Sequence, residues 1–170
     1  MDEKYAFLMI DYETPKIIKE LHDEIPEEEL YLGDNGYNKF GKEKESHVTL
    51  VACLDNDTDL EDLKKYLKKL SDYKLILTDI SKFECDEYDV LKCSAKSMIL
   101  SDTNEEIRKH FETHTQFKDY KPHMTVAYMK HGMADKYCKE ILSPLVKLTP
   151  VNFHYSWWEN GELKQKTFKD

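Results

Sequence analysis

Residues 46–55 read SHVTLVACLD and residues 123–129 read HMTVAYM. Each stretch carries one four-residue pattern, His47-Val48-Thr49-Leu50 in the first and His123-Met124-Thr125-Val126 in the second. Both are rich in apolar and β-branched residues, which predicts strands. In a strand, residues i and i+2 share a face, so His47 projects with Thr49 and His123 with Thr125. Val48 with Leu50, and Met124 with Val126, then turn to the core. With seven histidines and ten threonines in 170 residues, two full matches are a coincidence of roughly one in 500. Of the other histidines only His154-Tyr155-Ser156 comes near, with serine in place of threonine.

The flanking segments supply a frame. Residues 4–11 read as a strand, and Thr14 as a cap with Pro15 at the first helical position leads into a helix bearing Ile17, Ile18, Leu21 and Ile25. Residues 26–45, with Pro26, Gly33, Gly36 and Gly41 among charges, read as a solvated loop or a cover over a site. Residues 59–70 place Leu60, Leu63, Tyr66, Leu67 and Leu70 at helical spacing, and residues 74–84 and 88–95 read as two strands. A helix is expected from Asp102 and Thr103 through Ile107, Phe111 and His114, another over 134–142, and a hairpin over 148–168 about Asn160-Gly161. Each half thus reads strand, helix, strand, helix, strand. The expectation is one α+β domain over residues 1–170, duplicated in two lobes at about 1–84 and 85–170, with antiparallel-rich sheets around a cleft and helices outside.

Charge narrows the partners. With 34 acids against 25 bases the formal net charge is −9, whereas a protein that coats long nucleic acid needs a basic face to displace counterions. No long duplex partner is expected, and an anionic ligand should be small and held in a locally donor-rich cleft. The N-terminus lacks the basic start and cleavage site of a secretory signal, and no apolar run approaches the roughly 18 residues of a membrane span. A cytoplasmic address without a membrane partner follows as the expectation. Cys53, Cys85, Cys93 and Cys138 show no paired spacing and are expected as reduced, packing thiols. His110 and His114, four apart on an expected helix, have no third ligand nearby, so no metal or other cofactor is expected.

Two His-x-Thr strands facing one another have a specific chemical use. Imidazole titrates near pH 6.5, so of two histidines one can accept a proton while the other donates. One would deprotonate an attacking ribose hydroxyl or water and the other protonate the leaving oxygen. Thr49 and Thr125 would hydrogen-bond the nonbridging oxygens as charge builds on phosphorus. Tyr12 and Trp157 are candidate platforms for stacking bases. Tyr128 and Lys130 fall on the face opposite His123 if the alternation persists, which leaves Lys130 a poor phosphate candidate.

On these eight motif positions and the element order, the sequence resembles the 2H phosphoesterases, named for two His-x-Thr/Ser-x motifs in a duplicated α+β fold. The resemblance implies metal-independent phosphodiester cleavage in cyclic or RNA-like nucleotides, with His47 and His123 as acid and base and Thr49 and Thr125 on the phosphate. Within that superfamily the chain is similar to the phage anti-CBASS branch, small enzymes that degrade the cyclic oligonucleotide signals of bacterial antiviral defence. A 2′,3′-cyclic or 2′-5′ RNA phosphodiesterase or ligase-like enzyme would share the motifs, and a non-catalytic nucleotide sponge remains the rival from another class.

Overall fold

Val48 of the first motif pairs with Met124 of the second, and the sheet extends in both directions from that contact. The structure, a computed structural model, describes residues 4–34, 39–70, 73–115, 118–142 and 146–169. Among these, nine strands form one sheet: β1 (Ala6–Tyr12), β2 (His47–Leu54), β3 (Leu75–Glu84), β4 (Asp89–Lys96), β5 (His123–Met129), β6 (Lys139–Glu140), β7 (Val146–Leu148), β8 (Pro150–Glu159) and β9 (Glu162–Phe168). Their order is β6-β3-β4-β5-β2-β1-β8-β9, with β7 also on β3. The described pairings are antiparallel, so the α+β class expected from sequence holds. The two sides of the sheet are not the two halves of the chain. A boundary near residue 84 falls in the β3–β4 hairpin, while β8 and β9 return from the C-terminal half to extend β1 and β2.

The helices are exchanged as well. Helix α1 (Lys16–Glu24) packs on β5, whereas α3 (Met98–His110) packs on β2. Each motif strand is therefore backed by a helix from the other half of the chain. Val48, Leu50, Met124 and Val126 are fully buried on that helix-covered side, beside Leu8, Ile10, Ile18, Leu100 and Ile107. Burial of each such side chain contributes roughly 1.5–3 kcal/mol.

Both motif strands carry a bulge at the same place. Along β1 and β2 the register jumps from Leu8↔Val51 to Met9↔Thr49, leaving Leu50 as the extra residue. Along β4 and β5 it jumps from Leu91↔Ala127 to Lys92↔Thr125, leaving Val126 extra. Leu50 with Val51, and Val126 with Ala127, are consequently consecutive buried residues. The helix behind each bulge satisfies its carbonyl: Asn104 of α3 donates to the Leu50 oxygen at 2.7 Å and His22 of α1 to the Val126 oxygen at 2.8 Å. Bulges re-aim side chains next to sites, and here one device is used twice.

Several element boundaries differ from the sequence expectation. Pro15, not Thr14, is the N-cap of α1, and the Thr14 hydroxyl instead accepts from Ser46 at 3.1 Å. Helix α3 starts earlier than Asp102 because Ser97 caps it, accepting from the Leu100 amide at 3.3 Å. Over 59–70 only α2 (Leu60–Lys64), capped by Asp59, and a 3-10 turn (Lys68–Leu70) form. Residues 134–142 are not a helix: a 3-10 turn (Asp135–Tyr137) buries Ala134 and Tyr137, and the chain then extends as β6 beside β3. The hairpin about Asn160-Gly161 forms as expected, with φ of 52° and 78°, the left-handed pair a two-residue type I′ turn requires.

The loop over residues 26–45 is tied into the sheet. Its described parts run beside β5 where β2 departs, with Leu30↔Met129 and Lys42↔Ala127 bridges and a Tyr31 amide bond to the Tyr128 carbonyl at 2.9 Å. Buried Glu29 accepts from Lys136 and, at 2.6 Å, from the Tyr137 hydroxyl. Gly36 of this loop lies outside the described residues.

Candidate active site

The antiparallel register at Val48 and Met124 sets His47 opposite Thr125 and Thr49 opposite His123, on the sheet face away from the helices. The four half-buried side chains form a quartet with an approximate twofold axis. Each imidazole is fixed the same way. His47 donates from Nδ1 to the Glu45 carbonyl at 2.9 Å, and His123 from Nδ1 to the Lys121 carbonyl at 2.8 Å. A carbonyl only accepts, so the proton of the neutral ring sits on Nδ1 and Nε2 is left to take or give one. The hydroxyl of Tyr120, just ahead of β5, donates to the Thr49 carbonyl at 2.8 Å and so ties the approach of the second motif to the first.

Beyond the quartet the symmetry stops. On the β4 side Ser94 lies opposite His123 and Lys92 opposite Thr125. On the β1 side Asp11 lies opposite His47 and Met9 opposite Thr49, and β8 then adds Asn152 and His154. Burial holds the His123 imidazole below the ordinary histidine value, helped by the charges of Lys92 and His47 and opposed by its bond to the Lys121 carbonyl. The Phe83 ring meets His123 edge to face at 4.9 Å. His154 is displaced the other way: its interaction with Asp11, 3.6 Å from Nδ1, raises its pKa against the cost of burial.

Of the residues singled out in sequence, His47, Thr49, His123 and Thr125 come together, and Tyr12 and Trp157 do not join them. Tyr12 is 5% exposed, on the core side of β1 with Ile10, Leu8 and Ala6, and its hydroxyl bonds that of Tyr73. Its parity in β1 is that of Ile10, not of Asp11. Trp157 shares the core side of β8 with Phe153 and Tyr155 and stacks on Tyr155 at 5.6 Å. Neither ring is offered to a base on the motif face.

The aromatics on the motif face are others. The bulge at Val126 breaks the alternation and returns Tyr128, paired with Val90, to the His123 side. Tyr88, Phe40 and Tyr31 gather on it with centroids 5.0–5.6 Å apart. Lys130 is exposed beyond the end of β5. Asp79, Ser81, Lys92 and Ser94 also face the motifs, with Ser81 bonded to Asp79 at 2.8 Å and to Ser94 at 3.1 Å. Their signal in sequence is polar residues at alternate positions, Asp79 with Ser81 and Lys92 with Ser94.

His110 and His114 do not pair. His110 ends α3 against the Tyr66 ring, while His114 meets Asp55 at 2.5 Å and stacks on Tyr5. Asp55, Glu112 and His114, with ligand atoms within 4.8 Å of one another, are the group among the described residues that could hold a metal ion. They lie at the end of β2 away from His47. No helix among the described residues is long and apolar enough to cross a membrane.

The sequence profile of the 2′-5′ RNA ligase superfamily matches residues 12–162. Among solved structures the fold is similar to one described as a phosphoesterase, 16% identical, with a TM-score of 0.50 over 99% of this chain and 97% of that one. A second is E. coli LigT in apo form, 14% identical, with a TM-score of 0.49 over 99% and 96%. No curated protein matches the chain by sequence.

Proposed function

The chain belongs to the 2′-5′ RNA ligase superfamily, and on that premise we propose that it is a phosphodiesterase working by imidazole acid–base catalysis on small RNA-like or cyclic nucleotides. The observation that carries this reading is the facing pair of histidines, each with Nδ1 on a backbone carbonyl and each set across from the partner motif's threonine. For a 3′-5′ linkage, His123 Nε2 removes the proton of the ribose 2′-hydroxyl, and that oxygen forms a bond to phosphorus. The bond from phosphorus to the 5′ oxygen breaks, and His47 donates its Nε2 proton to the departing oxygen. The product is a 2′,3′-cyclic phosphate, which water can open with the roles reversed. His123 is assigned as the base because its depressed pKa keeps it neutral at working pH. Thr49 and Thr125 donate to the nonbridging oxygens as charge builds.

The substrate we favour is a small cyclic oligonucleotide signal of antiviral defence. The support is the sequence resemblance together with a net charge of −9, which disfavours a long polyanion and suits a small one held at a local cation. A 2′,3′-cyclic or 2′-5′ RNA phosphodiesterase is compatible with the same machinery. The test is chromatography of cyclic di- and trinucleotides, 2′,3′-cyclic mononucleotides and 2′-5′ oligoadenylates after incubation in EDTA, beside His47→Ala and His123→Ala. Cleavage of the cyclic oligonucleotides that both variants lose supports the reading. Cleavage confined to the other two classes reassigns the substrate, and binding of the panel without turnover makes the protein a sponge.

A further inference from the structure

Two threonine hydroxyls are neutral donors, yet a phosphodiester brings a negative charge that grows as phosphorus becomes five-coordinate. A group of opposite sign, Lys92, lies cross-strand from Thr125 on the motif face of β4. It is 8% exposed, although lysine is rarely buried without a carboxylate partner. Its Nζ donates to Ser94 Oγ at 2.7 Å and stands 4.5 Å over the centre of the Phe83 ring. That same ring packs on His123. Among the described residues no carboxylate forms an ion pair with it. Asp79 attracts it from further off, and its carboxylate is bonded by Ser81. An ammonium has three donors, and Ser94 takes one. A buried cation with donors to spare, beside two hydroxyls that a phosphate would bridge, is arranged for an anion that arrives from outside.

We propose that Lys92 binds a nonbridging oxygen of the substrate phosphate together with Thr125, making the β4 side of the quartet its phosphate-binding end. This rests on the phosphodiesterase reading for the identity of the substrate but not for the binding of phosphate. The position also fits a role toward His123: a cation here disfavours a second positive charge on the imidazole and keeps that ring ready to accept a proton.

The experiment pairs two readouts on the wild type, Lys92→Met and Lys92→Arg. Inorganic phosphate is titrated against labelled protein, with the backbone amides of Thr125, Ser94 and Phe83 followed by NMR, and KM and kcat are measured on 2′,3′-cyclic AMP or whichever panel member the wild type cleaves. Lys92→Met is expected to weaken phosphate binding and raise KM at least tenfold, to move the acidic limb of the pH profile upward, and to keep the wild-type amide spectrum elsewhere. Lys92→Arg restores most of the binding. Phosphate affinity and KM unchanged in a folded Lys92→Met overturn the proposal while leaving the phosphodiesterase intact. Lys92-dependent phosphate binding by a wild type that cleaves nothing supports the proposal and removes the enzyme reading. Should Lys92→Met not fold, Lys92→Gln, which keeps a donor toward Ser94 without the charge, is read by the same criteria.

Discussion

His47 with Thr49 and His123 with Thr125 are one device built twice. The two share the Nδ1-to-carbonyl bond, the bulge at the fourth motif residue, and a helix side chain on the bulged carbonyl. Their neighbours are not shared: Lys92 and Ser94 flank the second copy, Asp11 and Met9 the first. The duplication supplies geometry, while burial, aided by the charge of Lys92, disfavours protonation of His123. A symmetric pair of histidines offers no distinction between acid and base; Lys92 beside the second copy introduces one.

Removing either imidazole tests the shared part most harshly. His47→Ala and His123→Ala should each lower kcat by about a thousandfold, within the usual span for general acid–base groups. A variant that keeps activity breaks the pairing. Thr49→Val and Thr125→Val should each cost about a hundredfold in kcat as lost donors to the phosphoryl oxygens. A larger KM effect at Thr125 than at Thr49 would sharpen the contrast between the flanks.

The flanks also predict opposite pH signs. The His123 pKa is lowered in the fold, so its contribution to stability falls as pH drops below the unfolded value of about 6.5. The His154 pKa is raised, so the stabilisation from its Asp11 contact is full below about 6.5 and is lost as pH rises through its folded value. Denaturant melts of His123→Gln and His154→Gln across this range should lose the acid-side and alkaline-side slopes respectively. In activity, the acidic limb of kcat/KM should fall below 6.5, where His123 as the base would titrate. The smallest effect is at the link between the copies: Tyr120→Phe removes the bond to the Thr49 carbonyl and should cost about 1 kcal/mol in a denaturant melt.

The quartet was legible because a period of two makes His47 and Thr49, or His123 and Thr125, neighbours on one face without any knowledge of the fold. The same rule misled where a bulge intervened. Strict alternation puts Tyr128 on the far face, because nothing local marks Val126 as the extra residue; that depends on β4, a strand remote in sequence. Tyr12 differs for another reason: the strand expected to end at residue 11 runs on through Tyr12, whose side chain then has the buried parity of Ile10. The segment 134–142 has helical spacing, but tertiary pairing with β3 took the chain out of the helix. Lys92 is silent in the sequence, because a lone lysine in a strand carries no spacing signal until a neighbouring strand supplies its opposite number.

The exchange of helices between the halves also governs assembly. With α1 behind β5 and α3 behind β2, a nascent chain that ends near residue 84 has α1 without the strand it covers and β2 without its backing helix. Contacts of such long sequence separation slow the search for the native state. The quartet should therefore appear late and all at once, and a chain cut between β3 and β4 should regain it only when both fragments are mixed.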